Sequence, residues 1–241
     1  MKTRYKATNT IVISNDLVEA YYNLTPVEQK LIYTFISVIR SEKGNFEIVD
    51  PKKKYTLHVD EYADIMCIAP ETAYQGMLNA LESLCKSEIH IKTGGQMVRI
   101  SWVSAIEYDP DERTLALCWS PDIIPFISEL TGQFTTMKLG TVAKFRSFNS
   151  MRLYGLLKKD KFKGDKARRW VTEVTVAEFK NILNLKEAYA FKHLKSNVIE
   201  RAVAEINRTC QEELTVETQY IQPGKKVTKV NFEVKWNESV P

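Results

Sequence analysis

One pattern occurs twice in this 241-residue chain, and it restricts the fold more than any other feature. In the first copy, His58-Val59-Asp60-Glu61-Tyr62-Ala63-Asp64-Ile65 opens a short helix that breaks near Ala69-Pro70. A longer helix runs from Glu71 through Leu78, Leu81 and Leu84. Ile89-His90-Ile91 and Met97-Val98-Arg99-Ile100-Ser101-Trp102-Val103 then alternate on either side of Gly94-Gly95, which reads as a hairpin. In the second copy, Val174-Thr175-Val176-Ala177-Glu178-Phe179 opens a short helix ending near Leu183-Asn184-Leu185. The longer helix that follows carries Phe191, Leu194, Val198, Ala202 and Ile206 on one side. Leu214-Thr215-Val216-Glu217 and Val230-Asn231-Phe232-Glu233-Val234 are strands around the turn Pro223-Gly224-Lys225-Lys226. An apolar helix precedes each copy, Gln29 to Ile39 in one case and Ser150 to Lys158 in the other. The first of these is well marked. Thr25 can cap it, Pro26 suits the first helical position, and Glu28 completes a capping box. Leu31, Ile32, Phe35, Ile36 and Ile39 then supply its buried face. A period of roughly 120 residues is too long for a solenoid and fits a duplicated domain.

Two helices followed by a strand-turn-strand hairpin is the winged-helix arrangement. The chain is therefore expected to be α+β, with two tandem winged-helix domains over residues 11–140 and 141–241. In such a domain the second helix of the pair fits the major groove, and the hairpin, or wing, reaches the adjacent backbone. Outside the copies, residues 1–10 are polar and expected to be mobile. Ile11-Val12-Ile13-Ser14-Asn15 reads as a short strand or turn, and Ser41 to Lys54 as a charged loop. Fold alone does not imply function.

Charge supplies the next step. Residues 1–140 carry 14 Lys/Arg against 18 Asp/Glu, whereas residues 141–241 carry 20 against 12. That asymmetry points to a polyanionic partner for the second half. With the apolar side of the long second-half helix turned inward, its opposite arc presents His193, Ser196, Asn197 and Glu200. Lys192 and Arg201 flank the arc, and Lys195 lies nearer the apolar side. These groups can donate to base acceptors or phosphates. Lys225 and Lys226 at the wing turn, with Lys229 on the return strand, suit salt-dependent phosphate contact. Lys158, Lys159, Lys161, Lys163, Lys166, Arg168 and Arg169 read as a flexible, backbone-contacting loop. The corresponding first-half helix offers Thr72, Gln75, Asn79 and Lys86, with Glu82 among them, and is the weaker DNA contact.

Other chemistry finds little support. No apolar run approaches the roughly 20 residues that cross a bilayer, and no signal-type core follows the basic N-terminus, so a cytosolic protein is expected. Cys67, Cys85, Cys118 and Cys210 form no CxxC pair. Three of them sit in apolar stretches and are expected to act as buried hydrophobes. His58, His90 and His193 are far apart. No phosphate-loop motif is present, so no cofactor, metal or ATP-driven step is expected. Asp109-Pro110-Asp111-Glu112 is the one cluster that could suggest a metal-dependent nuclease. Between Ile106-Glu107-Tyr108 and Leu115-Ala116-Leu117 it reads first as a hairpin turn. The chain is expected not to be an enzyme.

Several segments, in this order and spacing, resemble the iteron-binding plasmid replication initiators of the RepE and pi type. They are Ser14-Asn15-Asp16-Leu17-Val18, Leu24-Thr25-Pro26-Val27-Glu28-Gln29-Lys30-Leu31-Ile32, Tyr62-Ala63 and Thr72-Ala73-Tyr74. Ile124-Pro125-Phe126-Ile127, Gln133-Phe134-Thr135, Ser150-Met151-Arg152-Leu153-Tyr154 and Ala202-Val203-Ala204-Glu205-Ile206-Asn207 follow. The resemblance spans nearly the whole chain and implies two winged-helix domains. It also implies that monomers bind origin iterons and promote origin opening, while dimers bind an operator inverted repeat and repress their own gene. The first domain would then supply the dimer contact and a secondary DNA contact, and the second would read the main site. Host replication initiator, replicative helicase and chaperones would be protein partners in a bacterial cytoplasm. The arc from Lys192 to Asn197 falls where the family's recognition helix lies. Some relatives carry several arginines there, and this chain has Lys195-Ser196-Asn197 instead. The alternative to an initiator is a dimeric winged-helix transcriptional repressor with no replication role.

Overall fold

The computed structural model describes residues 4–39, 49–128, 130–165 and 168–237. It divides into two units, Met1–Lys144 and Phe145–Pro241.

The first unit opens with β1 (Thr10–Ser14), α1 (Asn15–Glu19) and α2 (Pro26–Ile36). As expected, Thr25 caps α2 through a capping box with Glu28, and Leu31, Ile32, Phe35, Ile36 and Ile39 are buried. Then come β2 (Tyr55–His58), α3 (Val59–Met66) and α4 (Pro70–Leu84). Two hairpins follow, β3 (Glu88–Thr93) with β4 (Gln96–Ser101), and β5 (Val103–Asp109) with β6 (Thr114–Trp119). α5 (Ile124–Ile127), β7 (Phe134–Lys138) and α6 (Leu139–Ala143) complete the unit. β1 pairs with β7, β3 with β4, and β6 lies between β2 and β5 in a three-stranded sheet. β6 is apolar almost throughout, Leu115-Ala116-Leu117-Cys118-Trp119, because both of its faces are buried.

The second unit begins with α7 (Phe148–Lys159), a 3-10 turn over Asp160–Lys163, β8 (Arg169–Thr175) and α8 (Val176–Ile182). Its long helix starts as α9 (Phe191–His193), passes through a π-helical stretch over Leu194–Ile199 and continues as α10 (Glu200–Thr209). β9 (Leu214–Ile221) and β10 (Lys229–Trp236) form the closing hairpin, with β10 central between β8 and β9. Phe179, Phe232, Leu194 and Ile206 fill the core beneath.

The units share one frame: helix, strand, helix, helix and a hairpin that closes on the first strand. The correspondence holds bond by bond. In the first unit, His58 at the end of β2 pairs with Thr114 and caps α3, and Val59 N–H donates to Arg113 O at 3.0 Å. In the second, Thr175 at the end of β8 pairs with Lys229 and caps α8, and Val176 N–H donates to Thr228 O at 2.9 Å. Tyr108 opposes Leu115 just below the first turn, as Tyr220 opposes Val230 below the second.

This correspondence corrects the expected first wing. The Gly94-Gly95 hairpin β3–β4 is an insertion, and the true counterpart of β9–β10 is β5–β6. The run expected to continue to Val103 breaks at Trp102, whose fully buried ring packs edge-to-face on Tyr22 at 5.2 Å. Turn chemistry marks both hairpins equally; only the pairing of β6 with the distant β2 tells them apart. The missed strands β2 and β8 lie just ahead of short helices. Val174-Thr175 accordingly belongs to β8, and its helix begins at Val176.

Three further expectations change. Residues 4–10 are anchored, since Tyr5 is buried and the N–H groups of Gly140 and Leu139 donate to Ala7 O and Asn9 O. Of the four free cysteines only Cys118 and Cys210 are buried, because Cys67 and Cys85 sit at the exposed C-caps of α3 and α4. The basic segment after α7 is a helix end and a 3-10 turn, with Lys166 outside the described residues. Of the Ser41 to Lys54 loop, only residues 49–54 are described. Among the described residues no helix is long and apolar enough to cross a membrane.

Candidate nucleic-acid interface

A cationic concavity of the second unit lies where α8, the start of the long helix and the wing converge. Thr175 and Glu178 form the capping box that fixes α8, with Glu178 N–H donating to Thr175 Oγ1 at 3.1 Å. Lys180 donates to Glu187 O at 2.7 Å and so ties down the turn before α9. The resulting groove, about 820 Å³, is lined by Lys180, Tyr189, Lys195, Tyr220, Lys225 and Lys226 among others.

The π-helical stretch decides what the long helix presents. Glu200 N–H donates to Lys195 O, five residues back, and Leu194 and Ile199 are both fully buried. Helical phase at 100° per residue finds Leu194, Val198, Ala202 and Ile206 inside, as observed, but leaves Ile199 toward the flank. Ile199 is nevertheless fully buried, at the end of the π turn. Ser196 Oγ donates to Lys192 O at 3.1 Å, a back-bond within the same turn.

Lys192, His193, Ser196, Asn197 and Arg201 are exposed on this helix. Lys195 is half-buried, its ammonium 4.8 Å from the centroid of the Tyr220 ring and 3.8 Å from Glu200 Oε1. Phe191 meets the same ring edge-to-face at 5.7 Å and 84°. Burial, and then the charge of Glu200, raise the Tyr220 phenol above its usual range, so the ring stays neutral.

The structure thus gathers Lys195, Lys225 and Lys226 around one groove. The other expected residues are placed elsewhere. Lys229 pairs with Glu173 on the neighbouring strand at 2.7 Å and does not line it. Arg168 and Arg169 lie at the far end of β8, roughly 20 Å from the wing by strand rise. Arg168 adopts a φ of 58°, and its carbonyl accepts from Trp236 N–H. Lys158 and Lys161 stand over the Trp236 ring at 4.5 and 3.5 Å, and Lys163 pairs with buried Asp160 at 2.8 Å. Burial and then the nearby Lys158 charge lower the pKa of Lys161.

In the first unit, Thr72, Gln75 and Asn79 are exposed along α4, with Gln75 Nε2 donating to Asn79 Oδ1 at 3.1 Å. Tyr74 on α4 is hydrogen-bonded through its hydroxyl to Tyr108. The turn beyond Tyr108 is the acidic cluster: Asp109 Oδ1 accepts from the N–H groups of Asp111 and Glu112, both at 3.0 Å. These bonds make it a hairpin turn. Among the described residues no group of three or more His, Cys, Asp or Glu is placed to hold a metal ion.

Sequence reasoning missed Lys180, Tyr189, Tyr220 and Ile199. Lys180 and Tyr189 were assigned to no surface because the groove forms only when the wing folds over the turn between helices. Tyr220 carried a readable signal, an aromatic ring beside the wing turn in strand alternation.

Residues 10–158 match the family described as "Initiator Replication protein, WH1", and residues 175–234 that described as "Initiator Rep protein, WH2". A curated relative, the PI protein of Escherichia coli, is 24% identical over 250 residues, 91% of this chain and 80% of that protein. The crystal structure of Pi initiator protein in complex with iteron DNA aligns with a TM-score of 0.75 at 22% identity, covering 97% of this chain and all of that one. Domains 2 and 3 of RctB align with a TM-score of 0.50 at 11% identity, covering 90% and 84%. At these identities the likeness is one of fold.

Proposed function

Because the chain belongs to the family of initiator replication proteins, with both winged-helix modules matched in order, we propose that it is a plasmid replication initiator that binds double-stranded DNA in a sequence-specific way. The observation that carries this reading is the groove between the long helix and the wing, with Lys180, Lys195, Lys225 and Lys226 around it. The likeness to a Pi initiator crystallised with iteron DNA supports origin iterons as the ligand.

On this reading the second unit provides the main contact. The start of its long helix enters the major groove, and His193, Ser196 and Asn197 face base edges while Lys192 and Arg201 meet phosphates. The wing lysines add affinity that does not depend on sequence. Monomers load side by side on repeats and strain the duplex, helping an A·T-rich segment to open. Such deformation costs a few kcal/mol, roughly, which the added contacts offset. Host initiator, helicase and chaperones are met by protein contact.

The first unit serves self-association and a secondary DNA contact through Thr72, Gln75 and Asn79. Its strands β4 and β5 each pair on one side only among the described residues, which suits strand-to-strand pairing of two copies. The dimer would bind an operator inverted repeat and repress its own gene in the bacterial cytoplasm.

Footprinting on the parent plasmid's origin tests the reading. Protection of tandem repeats is the expected result. Protection of an operator inverted repeat alone would overturn it in favour of a dimeric repressor.

A further inference from the structure

The wing strand holds the reading helix through one side chain. Tyr220 is the penultimate residue of β9, facing the start of the long helix. Its ring takes the edge of Phe191 at 5.7 Å and the ammonium of Lys195 at 4.8 Å. Lys195 in turn lies 3.8 Å from Glu200, five residues along, a spacing that shares a face only in a π turn. The ring, the π turn and the carboxylate therefore fix the direction of one cation lining the groove. An aromatic contact between helix and wing strand recurs in the first unit, where Tyr108 meets Tyr74 at 6.0 Å. The joint itself is thus part of the shared frame. What is particular to the second unit is the lysine drawn onto the ring.

We propose that Tyr220 is a positioning residue for sequence discrimination: it locks the wing to the reading helix and aims Lys195 into the groove. This rests on the DNA-binding reading above. Wing lysines act on every sequence alike, whereas a fixed helix and a fixed lysine matter most where base edges must be met in register. The aromatic pair and the cation–π contact together are worth about a tenfold change in binding.

The test is the ratio of affinities for a cognate repeat and a scrambled duplex, measured with the full chain at two salt concentrations. Tyr220→Leu should lower the ratio about tenfold with an unchanged salt slope, and Tyr220→Phe, which keeps the ring, should retain it. Lys195→Met should lower the ratio similarly, and the double variant Tyr220→Leu/Lys195→Met should lose little more than either alone. If Tyr220→Leu does not fold, Phe191→Leu removes the same joint from the helix side and should show the same loss. An unchanged ratio in the folded joint variant, or losses that multiply in the double variant, would overturn the proposal. A wild-type protein with no preference for the repeat would instead end the DNA-binding reading on which it rests.

Discussion

In the first unit the turn that closes β5 onto β6 carries Asp109, Asp111 and Glu112; in the second, the turn that closes β9 onto β10 carries Lys225 and Lys226. Both hang from the same frame, with a capped helix on one side and an aromatic joint below. The first turn is short, residues 110–113, and tied back on Asp109; the second runs over residues 222–228. Opposite charge at one position of a repeated frame shows how a duplicated fold can divide its work. A carboxylate turn repels a phosphate backbone that a lysine turn attracts. The long helices differ as well: α4 is regular, and its counterpart contains a π turn.

That contrast can be broken most forcefully at Ile199. It is fully buried at the end of the π turn, so Ile199→Ala should cost about 3 kcal/mol of stability by urea unfolding. A loss below about 0.5 kcal/mol, normal for surface sites, would remove that register and make the two helices alike. Next comes the wing. Lys225→Ala/Lys226→Ala should weaken binding to any duplex by roughly 2 kcal/mol and flatten the log–log salt dependence by about two. An unchanged slope would take the second wing off the DNA and leave both wings equivalent.

Asn197→Ala should cost about tenfold on a cognate repeat and much less on a scrambled one, in gel-shift titrations. Equal losses on both would show that Asn197 reads no base. The smallest effect concerns what the units share. Thr175→Ala weakens the cap of α8 and His58→Ala that of its counterpart α3, each costing about 1 kcal/mol in thermal or denaturant unfolding. A large difference between them would mean that the frame is not borne equally.

Much of this architecture is legible in the amino-acid order because its signals are local. Thr25-Pro26 and Glu28 mark a helix start, and Asp109-Pro110-Asp111-Glu112 marks a turn, whatever lies around them. The wing lysines are legible for the same reason. What could not be read depends on distant partners. β2 is four residues long and finds β6 nearly sixty residues later, so no local pattern shows which first-half hairpin is the wing. Ile199 went unassigned, and the π turn around it has no local signature in the amino-acid order. Charge marked the second half as cationic but did not show which of its lysines are engaged within the fold. Lys158, Lys161, Lys163 and Lys229 are engaged by Trp236, Asp160 and Glu173 within the fold.

The strand pair β1–β7 has a consequence for synthesis. Thr10 lies opposite Lys138 and Ser14 opposite Phe134, so during synthesis this strand waits for a partner made more than a hundred residues later. At about 5–20 residues per second, that wait lasts many seconds, with Ile11, Val12 and Ile13 unshielded on the ribosome. The first unit can close only as the second begins to emerge. A pause placed soon after Lys138 would give it time to do so, whereas truncation before Phe134 would leave the strand without its hydrogen-bonding partner.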